Sequence, residues 1–513
     1  MPTMNPDRFK FIQAIVRFMV CLMMMLQVVC AEQEIMCMEK EREALLQFKA
    51  AIQDDYGMLS SWNTVDCCQW EGIRCSNLTA HILMLDLHGE YEGEHQQRYI
   101  SGEIHKSLME LQQLNYLNLS WNYFIGRGIP EFLGSLSSLR YLDLSFSYFS
   151  GKIPTQFGSL SHLKYLNLAL NDLEGSIPRQ LGNLSQLQHL DLSINSFEGN
   201  IPSQLGNLSQ LQHLDLSNNH LNKELSVIFH QLSGCARFSL QELKLRGNQI
   251  NGTLPDLSIF SALKTLDLSE NQLNGKIPES YKFPSLLESL SIGSNSLESG
   301  IPQSFGNACA LRSLDIYNNS LSEEFPMIIH HLSGCARYSL EQLYLGMNQI
   351  NGTLPDLSIF SSLKELYLDG NKLNGEIPKD IKFPPQLERL LMQSNSLKGV
   401  LTDYHFANMS KLMSLGLSDN SLLALAFSQN WVPPFQLSYI ELRSCKLGPV
   451  FPKWLETQNQ FEHIDISNAG IADMVPNWFW AKLAFREGIS MNISYNNLHG
   501  IIPNIPLKNH HQS

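Results

Sequence analysis

From Ile82 onward the chain repeats the arrangement L-x-x-L-x-L-x-x-N at intervals of mostly 23 to 25 residues. It is clearest at Leu187, Leu190, Leu192 and Asn195, and again at Leu211, Leu214, Leu216 and Asn219. The L-x-L core alternates with period two, which predicts one short strand per coil with its leucines inward and the intervening residues outward. Stacking about seventeen such coils between residues 80 and 506 predicts a parallel sheet. No coil can bury its apolar face alone, so repetition is required. The Asn that follows each strand carries both donors and an acceptor, suited to satisfying buried backbone groups and tying one coil to the next. That position is occupied instead by Glu90, Ser147, Cys445 and Ala469 in four coils. Between strands the chain runs G-x-I-P-x-x-L-G-x-L, as from Gly175 to Leu184, and its proline and glycine break any long helix on the opposite side. The expectation is an α/β chain, a curved right-handed superhelix lined by a parallel concave sheet.

Ahead of the first coil, Glu39 to Asp54 reads as an amphipathic helix with Leu45, Phe48 and Ile52 on one face, placed to cover the open end of the sheet. Trp62 and Trp70 read as core of this cap. Further upstream, Arg8, Lys10 and Arg17 precede an apolar run from Phe18 to Val29 and the small-residue site at Ala31, the pattern of a signal peptide over residues 1–31. The run is about twelve residues, too short for a bilayer that needs about twenty. No second run of that length follows, so the mature chain is expected to contain no membrane span. Ten cysteines are present, and Cys21 and Cys30 fall in the signal segment. Cys37, Cys67, Cys68 and Cys75 cluster without any C-x-x-C pair, which favours a disulfide-stapled cap over residues 32–79 rather than a metal site.

The stretch 233–297 recurs one hundred residues later as 333–397, sharing SGCAR and NQINGTLPDLSIFS. A solenoid tolerates such duplication of whole coils. In both blocks the spacing before Asn248 and Asn348 stretches to 29, so His230–Ser239 and His330–Ser339 are expected as longer loops on the convex side. Cys309 and Cys335 lie in neighbouring coils and are expected to pair. Their counterparts are Ser209 and Cys235, which leaves Cys235 without a partner. Cys445, in a ladder position, reads as a small buried group.

Charge and motifs then narrow the function. A net charge of −13 offers no basic face for nucleic acid. No nucleophile elbow, zinc-protease, phosphate-loop or kinase signature occurs, so no enzyme, cofactor or metal is expected. The one suggestive set is His189 with Asp191, His213 with Asp215 and His463 with Asp465, on outward strand positions. Because Asp recurs at Asp143, Asp267 and Asp315 without any His, this reads as repeat filler that leaves a shallow acidic stripe. Binding is assigned to outward residues that vary from coil to coil: Tyr116, Trp121, Tyr141 with Phe146, Tyr165, Tyr317, Tyr344, Tyr367, Tyr439 and Arg443. Truncating Tyr344 to Ala is expected to weaken capture with little change in thermal stability. Of nine N-x-S/T sequons, Asn77, Asn183, Asn207, Asn251, Asn351 and Asn408 are candidates for glycosylation, with Asn183 and Asn207 on the flank. Asn118 and Asn492 are expected to project from the concave strands.

The G-x-I-P signature, repeated down the chain, resembles the plant-specific class of extracellular leucine-rich repeats, from Cys37 to about Pro506. Within that class, the segments Trp431 to Leu437, Phe451 to Leu455 and Pro476 to Trp480 resemble immune receptor-like proteins of the Cf and ethylene-inducing-xylanase-receptor kind. The resemblance implies pairing of Cys37 with Cys67 and of Cys68 with Cys75. It implies a cell-surface receptor that recognises a protein or peptide, of microbial origin in the immune members, and signals through a co-receptor kinase in defence or development. The alternative is a secreted inhibitor or decoy similar to plant polygalacturonase inhibitors. Members of the receptor family carry a C-terminal cysteine cap and a membrane span after the repeats, whereas this sequence runs from Pro503 to Ser513 without either. A chain cut short of that cap, with residues 507–513 as a tail, is the expectation.

Overall fold

The computed structural model describes residues 15–19, 37–92, 96–483 and 488–503. Most of the expected signal segment and the tail at 507–513 lie outside the described residues. Eighteen strands form one long sheet. The first, Ile73–Cys75, belongs to the cap and runs antiparallel to Ile82–Asp86. From Ile82–Asp86 to Ser490–Asn492 every pairing is parallel and each coil's central apolar residue faces the next, as Leu166, Leu190 and Leu214 do. Those leucines are fully buried. A single apolar core runs the length of the solenoid.

The coils are joined through the ladder position. Asn195 Nδ2 donates to Leu168 O of the preceding coil at 2.9 Å and to Leu192 O and Ser193 O of its own at 3.2 and 3.1 Å. Its Oδ1 accepts from Leu173 N at 3.0 Å. One side chain thus satisfies four backbone groups that water cannot reach. The exceptions preserve part of this. Ser147 Oγ donates to Leu119 O at 2.9 Å, and Cys445 Sγ donates to Leu417 O at 3.1 Å. Burial pushes the Cys445 thiol up to about 12, so it stays a neutral donor. Glu90 instead opens a hairpin, Glu90–Glu92 paired with Gln96–Arg98.

Beyond the ladder the backbone forms further parallel strands that the leucine pattern did not reveal. Three four-stranded sheets line one flank, the first made of Ser150–Gly151, Asp172–Gly175, Ser196–Gly199 and His220–Leu221. They are interrupted at the long coils. There the expected loops at His230–Ser239 and His330–Ser339 prove to be helical: Leu225–Leu232 followed by a 3-10 turn at Cys235–Phe238, and Phe325–Leu332 followed by Ala336–Ser339. The reason is amphipathicity, since Leu225, Ile228, Phe229 and Leu232 all turn into the core. On the other coils the convex side carries short 3-10 turns such as Arg179–Asn183 and Ser203–Asn207, each starting just after the proline of G-x-I-P.

The cap helix spans Glu39–Ala51 rather than reaching Asp54, and Ile52 leaves it. Ile52–Gln53 pairs antiparallel with Ser101–Gly102. Asp54 drives the exit, its two oxygens accepting from Met58 N and Leu59 N, both at 2.8 Å, in a turn that follows at once. Gly102, at φ +107°, is needed for the pairing, because a Cβ there would sit 2.6 Å from Ala51 O. Glu41 is buried against the first coil and accepts from Ile82 N at 2.7 Å, so the helix covers the end of the sheet with a satisfied charge. Trp62 and Trp70 stack beneath it with ring centroids 5.2 Å apart. Disulfides join Cys37 to Cys67, Cys68 to Cys75 and Cys309 to Cys335, while Cys235 is exposed and free and Cys445 buried and free. Among the described residues no helix is long and apolar enough to cross a membrane.

Candidate ligand-binding surface

The outward residues of the sheet are held in columns by the parallel register, so side chains from successive coils stand about 4.8 Å apart. This spacing suits stacked aromatic rings. Tyr116, Tyr141, Tyr165 and His189 form one continuous stack with centroids 4.3, 4.3 and 4.4 Å apart and planes within 7°. Burial between its neighbours raises the Tyr141 phenol far above its ordinary value. A second group gathers Tyr317, Tyr344 and Tyr367. Tyr344 packs on Tyr367 with centroids 4.7 Å apart and donates to Glu365 Oε2 at 2.7 Å, and Tyr317 donates to Asp369 Oδ2 at 3.2 Å. Burial and the neighbouring Asp369 push the Tyr317 phenol up to about 12. A third group holds Tyr439, stacked on His463 at 4.7 Å, and Arg443, which pairs with Asp419 through two hydrogen bonds.

Two expectations change. Tyr344 is half-buried and held to the next coil by its bond to Glu365 and its packing on Tyr367, so its truncation costs stability as well as any contact. Asn118 stands in the outward column between Asp86 and Asp143 but lies folded against the sheet. It is 8% exposed, with its Oδ1 accepting from Ser120 N at 3.1 Å and Ser120 Oγ at 2.8 Å, so it offers little surface for a sugar. Asn492 is half-buried and donates to Asp465 Oδ2 at 3.0 Å. Asn77, Asn183, Asn207, Asn251 and Asn408 are exposed and Asn351 half-exposed. The His-x-Asp pairs face one another as their register requires, with His189 opposite His213 and Asp191 opposite Asp215. Burial lowers His189 and raises Asp215. His213 turns instead to Glu242 at 2.8 Å, and Lys244 bonds the same carboxylate at 2.5 Å. Among the described residues, no three ligand atoms from His, Asp or Glu side chains lie close enough to hold a metal ion.

One feature of the surface escaped the leucine pattern. The residue before the ladder position adopts a left-handed backbone in coil after coil: Trp121 at φ +59°, Phe146 at +49°, Leu170 at +55°, Ile194 at +52° and Asn218 at +52°. Gly247 and Gly370 fill this position elsewhere, and they are the signal that could have revealed it. Bulky residues there are costly, a β-branched Ile most of all. Trp121 therefore stands on a turn at the rim of the sheet, with its ring 4.2 Å from that of Phe146. Trp121, Leu170 and Ile194 are each about two-fifths exposed.

Described from the residues upward, this is a leucine-rich-repeat solenoid with a disulfide-closed N-terminal cap and a polar, aromatic inner face. A leucine rich repeat N-terminal domain matches residues 38–76, a leucine-rich repeat region residues 80–252, and further leucine rich repeats residues 262–283, 286–308, 310–332 and 362–383. Receptor-like protein EIX2 of Solanum lycopersicum is 36% identical across 91% of this chain and 53% of its own length. Receptor-like protein EIX1 of the same plant is 35% identical across 92% and 53%. The chain belongs to the plant leucine-rich-repeat receptor-like proteins, and it spans about half the length of the curated relatives it matches. Among solved structures it is similar to PEPR1 in its complex with AtPEP1, at 25% identity and a TM-score of 0.50 over 90% of this chain and 76% of that one. It is also similar to the plant peptide hormone receptor RGFR1 in complex with RGF2, at 26% identity and a TM-score of 0.51 over 79% and 78%. These are ligand-binding rather than enzymatic families.

Proposed function

We propose that this chain is an extracellular recognition module of a receptor-like protein, capturing a protein or peptide ligand on its concave face. The observation that carries the reading is the contrast between the two sides of each strand. The inner positions stay leucine or its close apolar substitutes, such as Ile440, Ile464 and Met491, while the outward positions of the same strands hold three separate aromatic and charged groups, around Tyr141, Tyr344 and Arg443. A scaffold needs only the first; interface anchors are typically aromatic and arginine side chains such as the second. The solved neighbours PEPR1 and RGFR1 are described with AtPEP1 and RGF2 bound. Three disulfides suit an oxidising compartment and hence the secretory pathway and cell surface. The resemblance to immune receptor-like proteins adds a microbial ligand and a co-receptor kinase as the partners to look for.

The test is selection of binders to the purified, glycosylated protein from displayed microbial secreted proteins and peptides, followed by alanine substitution at Tyr141, Tyr344 and Arg443. A specific binder that loses at least tenfold in affinity with one of these substitutions supports the reading. Binders insensitive to all three, or no binder at all, contradict it.

A further inference from the structure

A groove of about 570 Å³ lies on the inner face across the duplicated coils, reaching from Arg246 to Gln393. That volume is in the range of sites that hold a side chain or small ligand. Its lining is unbalanced in charge. Asp267, Glu270, Asp315 and Asp369 contribute four carboxylates, and Arg246 the one cation among the lining residues. Arg246 is already committed to Glu270 at 2.6 Å, which leaves three carboxylates without a cationic partner in the groove.

A second observation concerns Asp369 itself. It is 9% exposed, and its Oδ2 accepts from Tyr317. Its Oδ1 is buried with no donor from any neighbouring residue, and the same holds for Gln393 Oε1 one coil further on. A buried acceptor with no donor costs about 1 to 3 kcal/mol, more when charged, so two in one groove call for a ligand that supplies donors. Both acceptors lie in the space that a side chain on the facing coil would fill, and the facing residues are glycines. A Cβ at Gly346 would sit 2.5 Å from Asp369 Oδ1, and one at Gly416 would sit 2.5 Å from Gln393 Oε1. Burial raises the carboxyls of Asp315 and Asp369 above their ordinary value, the condition that a bound cation would relieve.

We infer that this groove is a subsite for a cationic side chain of the ligand, an arginine before a lysine, with Asp369 and Asp315 as its counter-charges. The inference rests on the proposed function and names the chemistry the ligand must present. A guanidinium carries five donors in a rigid plane and can serve both the Asp369 and Gln393 oxygens, whereas an ammonium is compact and cannot span them. The walls of Tyr317, Tyr344 and Tyr367 fit the same choice, since planar guanidinium groups stack on aromatic rings. A divalent metal ion fits poorly, because the carboxylate oxygens are not gathered within one coordination sphere.

The experiment uses the purified chain and three probes, acetyl-Ser-Arg-Ser-amide, its lysine analogue and its citrulline analogue, titrated by ligand-observed NMR at low ionic strength. Citrulline keeps the shape of arginine and removes the charge. The inference predicts saturable binding of the arginine probe, at least tenfold weaker binding of the citrulline probe, and at least tenfold loss in both Asp369→Asn and Asp315→Asn. Asp172→Asn, an exposed position on the flank sheet, should bind as the parent does, and Asp369→Glu should recover part of the affinity. Thermal unfolding of each variant excludes misfolding as the cause. Equal binding of arginine and citrulline, or undiminished binding by both Asn variants, or no saturable binding at all, overturns the inference. A secreted ligand that is still captured through Tyr141 or Arg443 after Asp369→Asn would leave the proposed function standing while removing this subsite.

Discussion

Asn195 reaches across 27 residues of sequence to donate its Nδ2 to the carbonyl oxygen of Leu168 at 2.9 Å. The same side chain accepts from Leu173 N, so adjacent coils are fastened at one point by a group with no close substitute among the other side chains. Asn420, fully buried, does the same between the coils of Met392 and Leu417. Alanine at 420 leaves Leu397 N without its partner, while Met392 O keeps Asn395 Nδ2 and Leu417 O keeps Cys445 Sγ, and the expected loss is roughly 1 to 3 kcal/mol. Repeat proteins unfold locally, so amide hydrogen exchange should accelerate first in the coils beside residue 420. Unchanged exchange there would contradict the ladder's role.

The two duplicated blocks give a controlled comparison of one disulfide. Cys309–Cys335 closes a loop with a sequence separation of 26, worth about 3 kcal/mol by restriction of the unfolded chain. The block one hundred residues earlier keeps the same close approach of glycines, Gly234 against Gly206 O as Gly334 against Gly306 O, but has Ser209 in place of the partner. Ser209→Cys is therefore expected to pair with Cys235 and to stabilise the chain by about 2 to 3 kcal/mol. Native thiol titration of protein lacking residues 1–31, and with them Cys21 and Cys30, checks it: the parent should show one reactive thiol, Cys235, with Cys445 silent, and the variant none.

The aromatic stack makes a stability prediction of its own. Tyr141 lies between Tyr116 and Tyr165 at 4.3 Å on each side, and such pairs contribute about 0.5 to 1.5 kcal/mol each beyond their buried area. Tyr141→Ala should cost about 1 to 3 kcal/mol and, in a double-mutant cycle with Tyr116→Ala, show coupling. Additive effects would mean that the rings are neighbours without interacting.

Acid should favour the fold at Asp369. Burial raises its carboxyl, so the folded chain holds that proton more tightly than the unfolded one. Its contribution is favourable below the ordinary carboxylate range and is lost as pH rises through the raised value. Asp369→Asn should consequently unfold at a higher temperature than the parent at pH 7, and the difference should close toward about pH 3. A variant less stable than the parent at pH 7 would contradict this.

Glycan mapping by mass spectrometry follows from exposure. Asn183 and Asn207, at the ends of convex 3-10 turns, are expected to be occupied in a plant-expressed protein, and Asn118, engaged by Ser120, to be bare. Sugar on Asn118 would contradict the placement of that coil.

The repeat was legible because burial selects leucine at fixed offsets, and the ladder because no other side chain meets its hydrogen-bonding demand so well. The flank sheets were not, since their strands are built from backbone pairing around residues such as Glu174 and Gly175, whose side chains carry no alternating signal. The helices at Leu225–Leu232 and Phe325–Leu332 were hidden by their length, two turns within an otherwise loop-like coil. Tyr344 was legible as an outward aromatic, but its bond to Glu365 depends on the side chain of the next coil. Asp369 and Gln393 gave no sign at all, because a buried acceptor without a donor exists only once seven coils have been set in register.

The most direct test of recognition on the concave face is a glycan wedge. Ser289→Asn creates the sequon Asn-Leu-Ser at 289–291 on an inner strand, and Ser159→Asn creates the same sequon at 159–161 on a convex turn, the position that Asn183 occupies in the next coil. With both sites shown to be glycosylated and both proteins folded, binding of the selected ligand should be lost with sugar at 289 and unchanged with sugar at 159. Retained binding with the inner face blocked, or loss only with the convex glycan, would contradict the account.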